Sequence, residues 1–250
     1  MSDFNHGQAR TIPADRIDMS VDAGLRSFML GVYNKVALGL VLSAALAFTT
    51  GQFAPVQQLL YRVSEDGRLM GLMPLGYVVA FGPLAVIMFG MFGMRNATPR
   101  SSGIYYWTIV SLIGASLGVL TLVYTGASIA STFLVTAAAF GALSLVGYTT
   151  KRDLTGFGSF LIVGLIGLVL ASVVNIFLHS SMMNFIVSVL GVFIFAGLIA
   201  YDTQRLKMQY HTLGGDQASM GVATNFGALS LYINFINLFQ MLLSLFGGRR

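Results

Sequence analysis

The sequence predicts an all-α membrane protein built as one bundle of seven transmembrane helices, and three observations carry that prediction. Hydrophobic residues make up 56% of the 250 positions and charged ones only 9%, with a mean hydropathy of +0.78. So much apolar surface cannot be hidden behind so few charges in a soluble fold. Apolar runs recur along the chain with connections too short to fold alone, and the basic residues collect at alternate ends of those runs. Each pattern is what a bilayer imposes on a polytopic chain.

The elements follow in order. Residues 1–27 are polar, with Pro13 and a mixture of acids and arginines. They lack the short apolar core and small-residue cleavage site of a signal peptide, so a cytoplasmic tail and a retained first span are expected. Residues 28–250 form a single transmembrane domain. About 20 apolar residues cross hydrocarbon, and seven stretches fit: Phe28–Phe53, Leu72–Met94, Ile104–Tyr124, Ile129–Tyr148, Phe157–Leu178, Met183–Tyr201 and Val222–Phe246. Tyr105, Tyr106 and Trp107 cluster where the third span enters lipid, which reads as an interfacial aromatic belt. Gly114 and Gly118 form a GxxxG in that span, suited to close packing of helix backbones.

Basic residues set the orientation. Arg10, Arg16, Arg26, Lys35, Arg95, Arg100, Lys151, Arg152, Arg205 and Lys207 fall on one side, ten of the fourteen; Arg62, Arg68, Arg249 and Arg250 fall on the other. The positive-inside rule then puts the N terminus in the cytoplasm. Seven crossings leave the C terminus outside. The terminal arginine pair pulls the other way, so a re-entrant last segment stays open as the alternative.

Several chemistries are excluded. There is no cysteine, hence no disulfide and no thiol chemistry. His6, His179 and His211 fall in a tail and two loops without metal-ligand spacing, and none lies deep in a span where an intramembrane serine protease would need it. Gly156-Phe157-Gly158 begins a GxGxxG without completing it. The net charge of +5 follows the membrane boundary rather than a basic run, so no nucleic-acid partner is expected. The expectation is a protein that is not an enzyme and has no resident cofactor.

Polar residues at membrane depth remain. Eight of the nine acids lie in tails or connections, whereas Asp202 closes the apolar run Phe185–Tyr201. A carboxylate there is rare and marks an ion or proton site by default. The competing account makes it a boundary partner for Arg205 three residues on. Gln204 follows two positions later, and the last span carries Tyr232, Asn234, Asn237 and Gln240. Spacing of three puts Asn234, Asn237 and, less squarely, Gln240 on one helix face, where interhelical hydrogen bonding is the simpler role. Asn34 and Lys35 at the head of the first span read as an interfacial pair, with the lysine snorkelling.

Four motifs in sequence then carry a resemblance: Tyr124-Thr-Gly-Ala-Ser-Ile, Gly147-Tyr-Thr-Thr-Lys-Arg-Asp-Leu-Thr-Gly156, Ala200-Tyr-Asp-Thr-Gln204, and Ala228-Leu-Ser-Leu-Tyr-Ile-Asn-Phe-Ile-Asn-Leu-Phe239. Together they resemble the bacterial branch of the Bax inhibitor-1 family. The resemblance implies a seven-helix protein that leaks Ca2+ down its gradient in a pH-dependent way, with two aspartates in the last two spans as the sensor. For some bacterial relatives it implies instead association with a membrane-bound AAA protease.

Asp202 matches the first sensor aspartate, and Asn234 stands where the second would be. Gln204, Tyr232 and Asn237 are the supporting polar groups. A lone carboxylate beside an amide titrates singly, without the repulsion of a second charge. Ca2+ prefers about six to eight oxygen ligands, so Asp202 with Asn234 makes only a weak, transient metal site. The arginine that the family carries in the second span is absent from Leu72–Met94; Arg95 follows that stretch and is assigned no such role.

Overall fold

The computed structural model describes residues 14–65, 68–94 and 96–249, with 14–22, 91 and 92 described by backbone alone. Arg10, Asp66, Arg95 and Arg250 lie outside the described residues, as do the first thirteen positions of the tail. The elements in order are α1 (Ala14–Gln52), α2 (Ala54–Leu60), β1 (Tyr61–Val63), β2 (Leu69–Leu72), α3 (Pro74–Gly93), α4 (Pro99–Ser116), α5 (Gly118–Val123), α6 (Gly126–Thr149), α7 (Thr155–Leu178), α8 (Ser181–Thr212) and α9 (Gln217–Phe246).

Among the described residues, six helical stretches are long and apolar enough to cross a membrane: Ala23–Gln52, Pro99–Val123, Gly126–Thr149, Thr155–Leu178, Ser181–Thr212 and Gln217–Phe246. The expected second span is the exception. Its apolar helix is shorter, Pro74–Gly90, and Pro83 interrupts its backbone bonding. Residues Leu69–Leu72 ahead of it pair with Tyr61–Val63 as a small antiparallel hairpin, where the sequence reading began a helix at Leu72. Helix α1 starts at Ala14, so the second half of the polar segment is helical and continuous with the first span.

The helix ends are written in the sequence. Thr98 closes a capping box with Ser101 ahead of Pro99, Thr125 and Ser180 accept the backbone N–H of Ser128 and Met183, and Asp216 accepts that of Ser219. Each satisfies an N–H that has no partner within its helix. The third span is broken at Leu117 into α4 and α5. There the Thr50 hydroxyl of α1 donates to the Ala115 carbonyl at 2.9 Å, taking an acceptor the helix would otherwise use. The GxxxG glycines face α1: a Cβ on Gly114 would meet Ser43, and one on Gly118 would meet Thr50. The motif serves packing within the chain.

Helix α9 is the axis of the bundle, packed by α8, α1, α4 and α6, while α7 sits outside against α8. At one end of α9 the Asn225 amide donates to the Pro99 carbonyl and the Ser102 hydroxyl at the start of α4. At the other, Thr125 N–H donates to the Gly248 carbonyl at 3.0 Å and Tyr124 pairs with Arg249. The last segment is therefore an unbroken helix running the full length of α4 and α5 in the same direction. A re-entrant hairpin does not describe it. Tyr106 also departs from expectation. It is fully buried, donating to the Lys35 carbonyl at 2.6 Å and stacking edge-on against Tyr232. It is a core residue rather than part of a lipid-facing belt.

Candidate functional site

The motif Tyr201-Asp-Thr-Gln lies inside α8, which continues to Thr212, so Asp202 does not mark a helix end. Small residues bring neighbouring helices onto it. A Cβ on Gly147 of α6 would run into the backbone of Ala200, and one on Gly158 of α7 would run into the Tyr201 ring. Helical geometry then sends the four side chains in different directions. Tyr201 packs on α7, Asp202 turns to α9, Thr203 is fully enclosed with its hydroxyl unpartnered among the described residues, and Gln204 turns to the α6–α7 connection.

Asp202 is 4% exposed and meets α9 near its midpoint. Its Oδ2 accepts from Asn234 Nδ2 at 2.8 Å and from Ser230 Oγ at 2.5 Å. Its Oδ1 accepts from Arg205 Nη2 at 2.9 Å, one turn along α8. The carboxylate is thus held by one ion pair and two charge-assisted hydrogen bonds. Arg205 is about half exposed, so water screens its half of the ion pair. A hydrogen bond to a charged group contributes about 1.5–3 kcal/mol, so the Ser230 and Asn234 contacts together hold the carboxylate to α9. Arg205 lines an opening of about 480 Å3 between α8 and α9, with Gln209, Thr212, Phe226 and Gly227. Arg205 is the one residue shared by this opening and the Asp202 cluster.

Of the other residues singled out from sequence, Gln204 is a structural clamp. Its Oε1 accepts from Leu154 N–H and its Nε2 donates to the Arg152 carbonyl, both at 2.8 Å, fixing the α6–α7 connection to α8. Tyr232 is fully buried on a different face of α9, with its hydroxyl 2.7 Å from Ser43 Oγ on α1. Asn237 is half-buried and makes no side-chain hydrogen bond among the described residues. The site is therefore Asp202, Asn234, Ser230 and Arg205. Ser230 escaped the sequence reading, although it precedes Asn234 by four positions and so shares its helix face. Asn225 escaped as well, its one signal being an amide in an apolar span.

What the arrangement can do follows from its donors. Nδ2 of Asn234, Oγ of Ser230 and Nη2 of Arg205 all donate to Asp202. No group of three or more His, Asp or Glu side chains gathers anywhere among the described residues. A cation at Asp202 would have to displace Arg205 and turn the Asn234 amide so that its carbonyl faced the ion. The arrangement seen here is a hydrogen-bonded lock between α8 and α9.

Known proteins resemble this chain over most of its length. The profile of the family described as "Inhibitor of apoptosis-promoting Bax1" matches residues 25–250. An uncharacterized protein of Caulobacter vibrioides is 68% identical over 250 residues, covering 100% of both chains. The inner membrane protein YbhL of Escherichia coli is 42% identical over 229 residues, covering 91% of this chain and 94% of that one. The uncharacterized protein RP147 of Rickettsia prowazekii is 39% identical over 241 residues, covering 96% and 98%.

Proposed function

From the chain's membership of the Bax inhibitor-1 family of multi-pass membrane proteins, we propose that it is a passive, proton-sensitive cation leak, not an enzyme, with Ca2+ bound only in transit. It lies in a bacterial inner membrane with its N terminus in the cytoplasm, and α3 makes the second of seven crossings. The observation that carries this reading is the buried Asp202 carboxylate holding α8 to α9 through Asn234 and Ser230, with Arg205 shared by that cluster and the opening.

The mechanism is a lock. Ionised Asp202 holds Arg205 on its own helix and Ser230 and Asn234 on the facing one. Arg205 is the charged group against it, and neither α9 partner titrates. Protonation removes the charge, weakens all three contacts together and lets α8 and α9 shift relative to each other. Cations then pass a site whose one carboxyl is neutral while protonated. Its weak affinity suits permeation, since an ion that enters must also leave.

Ca2+ flux into liposomes holding the purified full-length chain, measured from acid to neutral pH, tests the reading. A pH-dependent flux absent from empty liposomes supports it. Flux equal to that of empty liposomes overturns it and favours a non-conducting partner of a membrane-bound AAA protease.

A further inference from the structure

Helices α1 and α6 meet through the edge-on contact of Tyr33 with Phe140 rather than as a packed pair. Beside that contact lies a crevice of about 410 Å3 lined by Arg26, Leu30, Tyr33, Phe140, Ser144 and Tyr148, among others. Three observations say what it holds. Its walls are apolar along its length but carry an exposed cation, Arg26, at the end where Tyr148 closes α6. The Lys207 ammonium, donating to the Tyr148 carbonyl at 3.1 Å, adds a second positive charge beside that end. Ser144 is 6% exposed, and its hydroxyl has no hydrogen-bond partner among the described residues.

The serine is the informative group. Ser43, Thr50, Thr136, Ser172 and Ser188 each return their hydroxyl to a carbonyl four residues back in their own helix. Ser144 does not. A buried donor without an acceptor is costly, and this one lies in a cavity wall. Its position fits a specific chemistry. Ser144 precedes Tyr148 by one helical turn, about 6 Å along the axis at 1.5 Å per residue. Each interfacial layer of a bilayer is about 5–7 Å deep between headgroup and hydrocarbon. A phosphate at Arg26 would thus put a glycerol ester carbonyl level with Ser144 and an acyl chain along Leu30 and Phe140.

We propose that this crevice is a binding site for an anionic glycerophospholipid, its phosphate on Arg26 and its ester oxygen on the Ser144 hydroxyl, filling the gap between α1 and α6. Basic pockets between transmembrane helices are suited to such headgroups. The site is lined by α1 and α6 and includes neither Asp202 nor the residues that bond it, and it stands whether or not the protein conducts.

Native mass spectrometry of the full-length protein in detergent, with equal amounts of phosphatidylglycerol and phosphatidylcholine, tests it. One phosphatidylglycerol should be retained in preference to phosphatidylcholine. Arg26→Gln should weaken its retention about tenfold, the scale of one lost charge-assisted phosphate contact, and Ser144→Ala should weaken it severalfold. Arg152→Gln, a nearby basic residue outside the crevice, should leave it unchanged, and free glycerol phosphate should not compete. Equal retention of the two lipids, or loss of preference in none of the crevice variants, overturns the proposal. Competition by glycerol phosphate alone overturns it too, since a headgroup pocket would then suffice.

Discussion

Asn234 on α9 donates its amide N–H to the Asp202 carboxylate on α8 across 2.8 Å, with both residues almost wholly buried. Two positions that are 32 residues apart in sequence are one unit in space, and the two central predictions follow from that contact.

Asp202→Asn removes the charge while keeping the shape. The variant should fold, because an amide still bonds Ser230 and Asn234, and its Ca2+ flux in liposomes should lose its pH dependence. A wild-type pH profile in the variant would show that the flux is governed elsewhere.

Asn234→Asp puts a second carboxylate within hydrogen-bond distance of the first. Two charges in contact are relieved by a shared proton or a cation. The variant should bind Ca2+ more tightly, with its pH response moved upward. Asn237→Asp, on a half-buried residue with no contact to Asp202, should not produce both effects. Calcium titration and flux on both variants in the same liposomes decide the matter.

Orientation is checked by labelling. The wild-type chain has no cysteine, so Ser101→Cys, Thr150→Cys and Gln209→Cys give single sites. All three should resist a membrane-impermeant thiol reagent in intact cells, while Glu65→Cys in the first connection should react. The reverse pattern would place the N terminus outside.

Gly147→Val tests the approach of α6 to α8. Its side chain would run into the backbone of Ala200, which cannot turn aside as a flexible side chain can. A loss of about 1–3 kcal/mol, typical of overpacking, is expected, read as a lower thermal midpoint in detergent. Gly141→Val, where a Cβ meets open space, is the matched control.

Asp216 caps α9 outside the membrane. Hydrogen bonds from Ser219, side chain first and then backbone, hold its carboxyl below the usual carboxylate range. A depressed value means that the capping contribution is complete at neutral pH and is lost as pH falls below about 4. Wild type should therefore be more stable than Asp216→Ala at pH 7, and the gap should narrow toward pH 3. Thermal scans at the two pH values measure it.

The sequence by itself determined the class of molecule, because the bilayer acts on composition. Long apolar runs, charges confined to connections and a basic asymmetry between the two sides are local properties, and so are the capping residues Thr98, Thr125, Ser180 and Asp216. The isolation of Asp202 among apolar residues was legible for the same reason, as was the presence of amides on the last span, though Ser230 beside Asn234 was not read. Tertiary structure alone decided which helix that face meets. Nothing local distinguishes Asn234, which reaches Asp202, from Asn237, which does not, or marks Tyr232 as the partner of Ser43 on another face. Nor could hydropathy show that α8 continues a further three turns past its apolar run, since polar residues extend a helix as readily as they end one. The break at Leu117 was hidden likewise, because it arises where a hydroxyl on α1 meets a carbonyl on α4. Contacts of this kind depend on how helices pack, and helix packing is fixed by the whole bundle rather than by any one segment.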